Sequence, residues 1–516
     1  MGGHQPHIRS GDTPCEIHGT TEELTDVAQQ YEHRMLIGGA LVESSGGEYD
    51  NINPANGKSA GRAVNGTADD ATRAVTAAHQ AFQESGWSEN RGLRRSCLEQ
   101  LQEGLRRRRD DLIHIQVIEA GMTVSTAAAV VDSVIDNMSF MIGLAESYEY
   151  DRAMPVLDIN GMKQERWVRH EPYGVAGLIS PWNAPFLTNI WKLTPALAAG
   201  NTVVLKGAPA TPWSATVIGE IVLNETDIPA GVVNIVTSKD KSVVGEALTG
   251  DPRVGIFHFT GSHGVGQRIM QRAAVGLRKV ALELGGKSAN IILDDADLDS
   301  ALPFSALMCC TLSGQGCALP TRLLLPANLY DEGVERVTAA FSEMRVGDPT
   351  DPSTVIGPII NKSQLERIHG LVEQGIQAGA RATVGAQKAE LPGEFANGFW
   401  YQPTVLTEVD PSSTVAQTEI FGPVLTVLRY ENDDEAVAIA NGTPYGLAGF
   451  VQSRDPERAL SVARRIRAGS VGINGTATWF SPDLPFGGYG ISGLGREHGI
   501  EGFEEYLQAK AISMPA

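Results

Sequence analysis

Cys317 sits in Gly314-Gln315-Gly316-Cys317-Ala318. Small neighbours let a carbonyl approach the sulfur and leave the cysteine N–H free to donate, as a thiol nucleophile needs. The plainer reading is a buried structural thiol, which suits Cys309 and Cys310 better because both lie in the apolar run 304–311. Glu283 is the lone carboxylate of the apolar stretch 280–284 and precedes Gly285-Gly286. Burying an ionised carboxylate is costly, so its pKa should rise, which suits a general base. The alternative is a glutamate on a solvated edge.

Asn183 follows Pro181-Trp182 after the strand-like run 175–180. Its amide can donate to a developing oxyanion, or it is an ordinary turn asparagine. Residues 259–266 join a strand to a helix, and Gly261 to Gly266 frame a helix N-terminus that suits a pyrophosphate. The literal G-x-G-x-x-G at 488–493 lacks a strand before it and a helix after it, so it is a decoy.

The elements that must hold these segments alternate between strand and helix. Apolar runs 175–179, 202–205, 232–236 and 254–257 are separated by the helical stretches 211–223 and 264–275. That order predicts a mainly parallel sheet with crossover helices. A second series of the same kind starts at 290, with helices expected near 301–312, 332–344 and 363–379. Three helices precede the first series. One starts at Thr67 with Asp70 in a capping box, one spans about 90–120, and one about 124–146. The basic run Arg106 to Arg109 reads as a solvated helix face rather than a phosphate site, because Asp110 and Asp111 follow at once. Asn160-Gly161 between two extended runs predicts a hairpin over 150–171. The run 510–514 is a candidate strand for pairing across an interface.

Composition excludes several classes. The 516 residues hold 41 Lys and Arg against 61 Asp and Glu, a net charge of −20. That argues against a nucleic-acid binder or a protein held on an anionic membrane. Five cysteines make no disulfide framework. Residues 1–33 read as a polar, mobile arm without a signal sequence, and His4 and His7 in it are incidental. No apolar run approaches the ~18 residues of a membrane span. The expected location is the cytoplasm.

Taken together and in order, these segments resemble the NAD(P)-dependent aldehyde dehydrogenase superfamily over about residues 35–512. Further matches are Val204-Leu205-Lys206, Glu419-Ile420-Phe421-Gly422-Pro423, Tyr445-Gly446-Leu447 and Pro485 to Gly488, and 34 residues separate Glu283 from Cys317. The resemblance implies an α/β, aldehyde-dehydrogenase-like fold of two α/β lobes with a β-hairpin oligomerisation arm. The Rossmann-like cofactor domain would take 34–149 and 172–284, the catalytic domain 285–490, and the bridging arm 150–171 with 491–516.

By similarity Cys317 is the nucleophile, Asn183 and the Cys317 N–H hold the oxyanion, and Glu283 activates water against a thioester. Cofactor contacts would come from Ile179, Ser180, Pro181, Trp182, Lys206, Gly207, Ala208, Pro209, Gly261, Ser262, Gly266, Leu284, Gly285, Glu419 and Phe421. Ala184, Thr188, Trp191, Trp479 and Phe480 would lie near the substrate mouth, and no metal is required. Without an identifiable charged clamp, these side chains suggest an apolar aliphatic, terpenoid or aromatic aldehyde. One departure matters. Pro209 stands three residues after Lys206, where many NAD-preferring relatives carry glutamate, so NAD is expected with NADP possible. The partners implied are a small aldehyde and further copies of the chain, as a dimer or a dimer of dimers. The rival readings are a CoA-acylating enzyme, against which Glu283 counts, and a non-catalytic member, which should have lost Cys317 or Glu283.

Overall fold

The structure is a computed structural model and describes residues 31–516. Residues 1–30, most of the expected arm with its His4 and His7, lie outside the described residues. Packing has begun by Tyr31. It is buried, its hydroxyl lies 2.7 Å from His114 Nδ1, and its ring packs on Trp213.

The first sheet has eight strands. Its parallel centre is Val175–Ile179, Thr202–Lys206 and Val233–Val236 on one side, with Val254–Thr260 and Lys279–Glu283 on the other. These strands are continuous apolar runs because helices cover both faces. Chain order reverses between Val175–Ile179 and Val254–Thr260, which pair side by side. The crevice beyond the C-terminal ends of two such strands is where open α/β sheets bind ligands.

The helices before the sheet follow the sequence with one correction. Thr67 and Asp70 form the expected capping box on Ala68–Glu84. The single helix expected over 90–120 is two, Arg91–Arg107 and Arg109–Ala120. The break falls at Arg108, and Asp110 and Asp111 occupy the first turn of the second piece, where the helix dipole favours acids. The run Arg106 to Arg109 pairs with Asp136, Glu225, Asp111, Glu220 and Asp132. Val124–Ser147 is long and apolar enough, by length and composition, to cross a membrane, which corrects the sequence reading. In the fold its Val131, Ile135, Met138 and Ile142 are buried in the core of the first lobe.

The second sheet has seven strands, parallel except for Arg381–Val384 at one edge, with Ala289–Ile292 and Arg322–Pro326 near its centre. Only five residues separate Glu283 from Ala289, so the C-terminal end of one sheet meets the N-terminal end of the other at Gly285-Gly286.

The hairpin is Asp151–Ile159 and Met162–Pro172, turned at Asn160 and Gly161, both at positive φ as a two-residue hairpin turn requires. Its third strand is Leu507–Pro515, paired with Met162–Pro172 from Leu507↔Pro172 to Pro515↔Gln164. The run 510–514 therefore pairs inside its own chain on one side, and it is the edge strand of this three-stranded sheet. The segment 488–493 is no phosphate loop. Gly493 pairs with Glu283, and Ser492 Oγ donates to the Gly285 carbonyl at 2.7 Å.

Candidate active site

The nucleophile loop is fixed by its backbone. Helix Leu298–Cys310 ends, and Leu312, Ser313 and Gly314 follow at positive φ. Three left-handed residues in a row reverse the chain and present Gln315-Gly316-Cys317. Gln315 then anchors the loop. Its side-chain carbonyl accepts from the Ile360 N–H at 3.0 Å, and its amide donates to Leu312 O at 3.2 Å.

Asn183 donates Nδ2 to the Gln315 backbone carbonyl at 2.8 Å. The amide therefore faces the loop two residues before the sulfur. An amide nitrogen carries two hydrogens, so one remains for a ligand oxygen.

Glu283 ends its strand, buried, with neither carboxylate oxygen hydrogen-bonded among the described residues. Burial, and next the charge of Glu497, hold its pKa well above the ordinary carboxylate range. The turn after it has no room for side chains. A Cβ on Gly286 would stand 2.5 Å from the Cys317 carbonyl oxygen, and one on Gly285 would stand 2.3 Å from Glu419 Oε2. The Gly286 N–H donates to Glu419 Oε1 at 3.0 Å. Glycine here buys contact between the base, the nucleophile loop and Glu419. Burial, then Glu419, Glu283 and Glu497, push the Cys317 thiol up to about 12.

The residues expected to hold a cofactor gather at the reversal crevice. Ile179 to Trp182 leave one central strand, and Gly261 and Ser262 leave its neighbour. The Gly261 N–H donates to the Glu283 carbonyl at 3.0 Å, which ties this turn to Glu283. Ser262 precedes helix His263–Ala274 without a side-chain cap, leaving N–H groups for a ligand. Gly266 packs on Leu284, where a Cβ would stand 2.9 Å from Leu284 Cδ2. Lys206 ends the next strand, and burial pulls its ammonium down to about 8. Among the described residues its ammonium makes one hydrogen bond, to Gly207 O at 3.4 Å. Gly207, Ala208 and Pro209 continue from it. The Trp182 and Phe421 rings meet edge to face at 5.3 Å. Arg367 donates to the carbonyls of Ile420 and Glu419, at 2.6 and 2.7 Å, and Gln364 donates to the Phe421 carbonyl at 2.9 Å, so the two fix this segment. A buried ammonium, free helix N–H groups and an aromatic pair along one crevice fit a dinucleotide.

An aromatic cluster adjoins Cys317. Trp191 packs on Phe486 at 5.8 Å, and Phe450 on Trp479 at 5.8 Å, with Phe304 alongside. Phe480 is exposed at its edge, and the Thr188 hydroxyl is spent on the Ala184 carbonyl at 2.9 Å.

Sequence reasoning gave no role to Gln315, Arg367, Phe304, Phe450 or Phe486, nor to a buried group of Lys192, Glu497, His258 and Tyr506. Lys192 pairs with Glu497 at no measurable exposure of the lysine. A lysine inside an apolar helix, in 190–193, was the one available signal.

A partly exposed cysteine, a side-chain amide and a buried carboxylate lie together at the junction of two parallel sheets, beside a crevice that fits a dinucleotide. The chain belongs to the aldehyde dehydrogenase family, whose sequence profile matches residues 41–512. A Staphylococcus saprophyticus relative is 39% identical over 481 residues, covering 93% of this chain and 98% of its own. The structure is similar to betaine aldehyde dehydrogenase from Staphylococcus aureus, crystallised with NAD+. The TM-score is 0.92 and the identity 32%, over 96% of this chain and 97% of that one. It is also similar to a mutant aldehyde dehydrogenase C from Pseudomonas syringae in complex with NAD+ and octanal. Here the TM-score is 0.87 and the identity 37%, over 94% and 97% of the two chains.

Proposed function

We propose that this protein oxidises an apolar aldehyde to its carboxylic acid with NAD+ or NADP+, through a thioester on Cys317. The reading rests above all on Glu283, a buried carboxylate without a protein partner, at a turn that touches the Cys317 backbone. Cys317 gives up its proton to solvent water, and the thiolate Sγ adds to the carbonyl carbon as the C=O pair moves onto oxygen. The oxyanion accepts from the Cys317 N–H and from the second hydrogen of Asn183 Nδ2. Bound NAD(P)+ supplies the acceptor for the hydride that then leaves the thiohemiacetal carbon. Glu283 takes a proton from water, the hydroxide adds to the thioester, and the acid departs from Cys317. A site that keeps a water-activating carboxylate has no need of CoA.

The aromatic and aliphatic side chains clustered with Cys317, and the octanal bound by the Pseudomonas relative, support an apolar substrate. The test is kcat/KM over a panel of aliphatic, aromatic and charged aldehydes, with NAD+ and NADP+ and without CoA. Free acid from apolar aldehydes is the expected result. Strict dependence on CoA, or no turnover, overturns it. Asn183→Ala should lower kcat about 100- to 1000-fold, with KM much less affected, as loss of one oxyanion donor does. A fall of less than fivefold in steady-state kinetics would remove Asn183 from the mechanism.

We also infer that the exposed apolar side chains of the hairpin, Met154, Val156, Ile159 and Met162, join copies of this chain.

A further inference from the structure

A cavity of about 20 Å³ lies between helices Val124–Ser147 and Pro185–Ala198. Met138 and Met141 line it from the first helix, Trp191 and Thr194 from the second, and His498 closes it. The Trp191 ring also packs against the aromatic cluster that receives Cys317, so one side chain borders both spaces. On its cavity side Trp191 meets the His498 ring edge to face at 4.1 Å. Asn137, at the rim, donates to the Phe480 carbonyl at 3.4 Å and so ties the loop of Trp479 and Phe480 to the first helix.

Three atoms on the lining residues are buried and without a hydrogen-bond partner among the described residues. They are Trp191 Nε1, Thr194 Oγ1 and His498 Nε2. Such groups cost stability until something bonds them. His498 carries a second sign of use. It is held at φ 59 and ψ 171, a region in which only glycine is at ease, and a larger residue kept there against the strain points to a need for its ring.

The three groups select a chemistry. Trp191 Nε1–H only donates, and the Thr194 hydroxyl donates or accepts. Burial pulls the His498 ring down to about 4, so near pH 7 it is neutral and its Nε2 donates or accepts according to tautomer. A neutral hydroxyl fits all of them, accepting from the indole and donating to the imidazole or the threonine. Among the described residues no lysine, arginine or carboxylate lines the cavity to pair with a charged group. The space suits one water-sized group, the end of a molecule and not its body.

We propose that Trp191, Thr194 and His498 form a specificity subsite for a hydroxyl at the far end of the substrate's apolar chain or ring. The preferred aldehydes then carry that hydroxyl remote from the carbonyl. The assignment rests on Cys317 being the point of attack, which fixes the carbonyl end while the subsite fixes the other.

The test compares alkanals with ω-hydroxyalkanals of equal length, in the wild type, T194V and H498G. The wild type should favour the hydroxylated series by about tenfold or more in kcat/KM, mainly through KM, at the one length that spans both fixed ends. T194V removes a buried hydroxyl without a partner, so it should melt no lower than the wild type while the preference falls to about threefold or less. H498G suits the backbone at that position and should lose the preference as well, and T194V alone decides if H498G does not fold. Equal kcat/KM for both series at every length, or a preference that survives in either variant, overturns the proposal and leaves the three groups to a trapped water. Should the protein oxidise neither series, titration with unreactive ω-hydroxyalkanamides and alkanamides decides. Tighter binding of the hydroxylated amide, lost in T194V, keeps the subsite while the reading of Cys317 falls. Equal binding overturns both.

Discussion

Cys317→Ser is expected to abolish aldehyde oxidation, by roughly 10,000-fold or more, while the protein stays folded. Serine is nearly isosteric with cysteine, and the loop is held by Gln315 and Asn183 rather than by the sulfur. The loss is chemical. The Cys317 thiol already gives up its proton reluctantly, at about 12, because its sulfur is poorly hydrated and Glu419, Glu283 and Glu497 oppose the negative charge. A hydroxyl in the same surroundings is far harder to ionise and its adduct gives an ester instead of a thioester. Initial rates of NADH formation, beside a thermal melt, measure the effect. Oxidation at the parental rate would falsify the assignment of the nucleophile, since no other cysteine among the described residues is partly exposed. Cys97, Cys309 and Cys310 are buried.

Glu283→Gln is expected to separate the two halves of the reaction. Acylation needs Cys317 and the oxyanion donors, so one equivalent of NADH per site should appear in a burst. Hydrolysis should then slow about 100- to 10,000-fold, the range for a lost general base. Mass spectrometry of the stalled enzyme should find the acyl group on the peptide containing Cys317. The pH dependence carries the sign of the shift. Glu283 binds its proton more tightly than an ordinary carboxylate, so the active base form fills only as pH climbs through that raised value. Wild-type hydrolysis should therefore increase with pH through a midpoint above the usual carboxylate range, and the glutamine variant should lose that limb. A midpoint at an ordinary carboxylate value, or turnover without a burst, would contradict this scheme.

The fold was legible where the pattern was local. Thr67 and Asp70 announce a helix start, Asn160-Gly161 a hairpin, and the runs 175–179 and 202–205 buried parallel strands. Cys317, Glu283 and Asn183 were visible because each is an odd residue type in its stretch, and their order along the chain completed the reading. What stayed hidden depends on contacts between distant segments. Arg367 reaches the 419–421 backbone from another helix, and the partner of His258 in sequence terms is 248 residues away. Nothing within a few residues of either betrays such a neighbour. The break at Arg108 was missed because helical periodicity runs through it, and only the acids after it mark a new start.

The arm carries a consequence for how the molecule is made. Its outer strand, Leu507–Pro515, leaves the ribosome long after its partner, Met162–Pro172. Folding during synthesis runs from the N-terminus, so the hairpin must wait with one edge unpaired while both lobes form. Closing that edge is then a late event, and a nascent chain stalled before residue 507 exposes a strand ready to pair with the wrong neighbour.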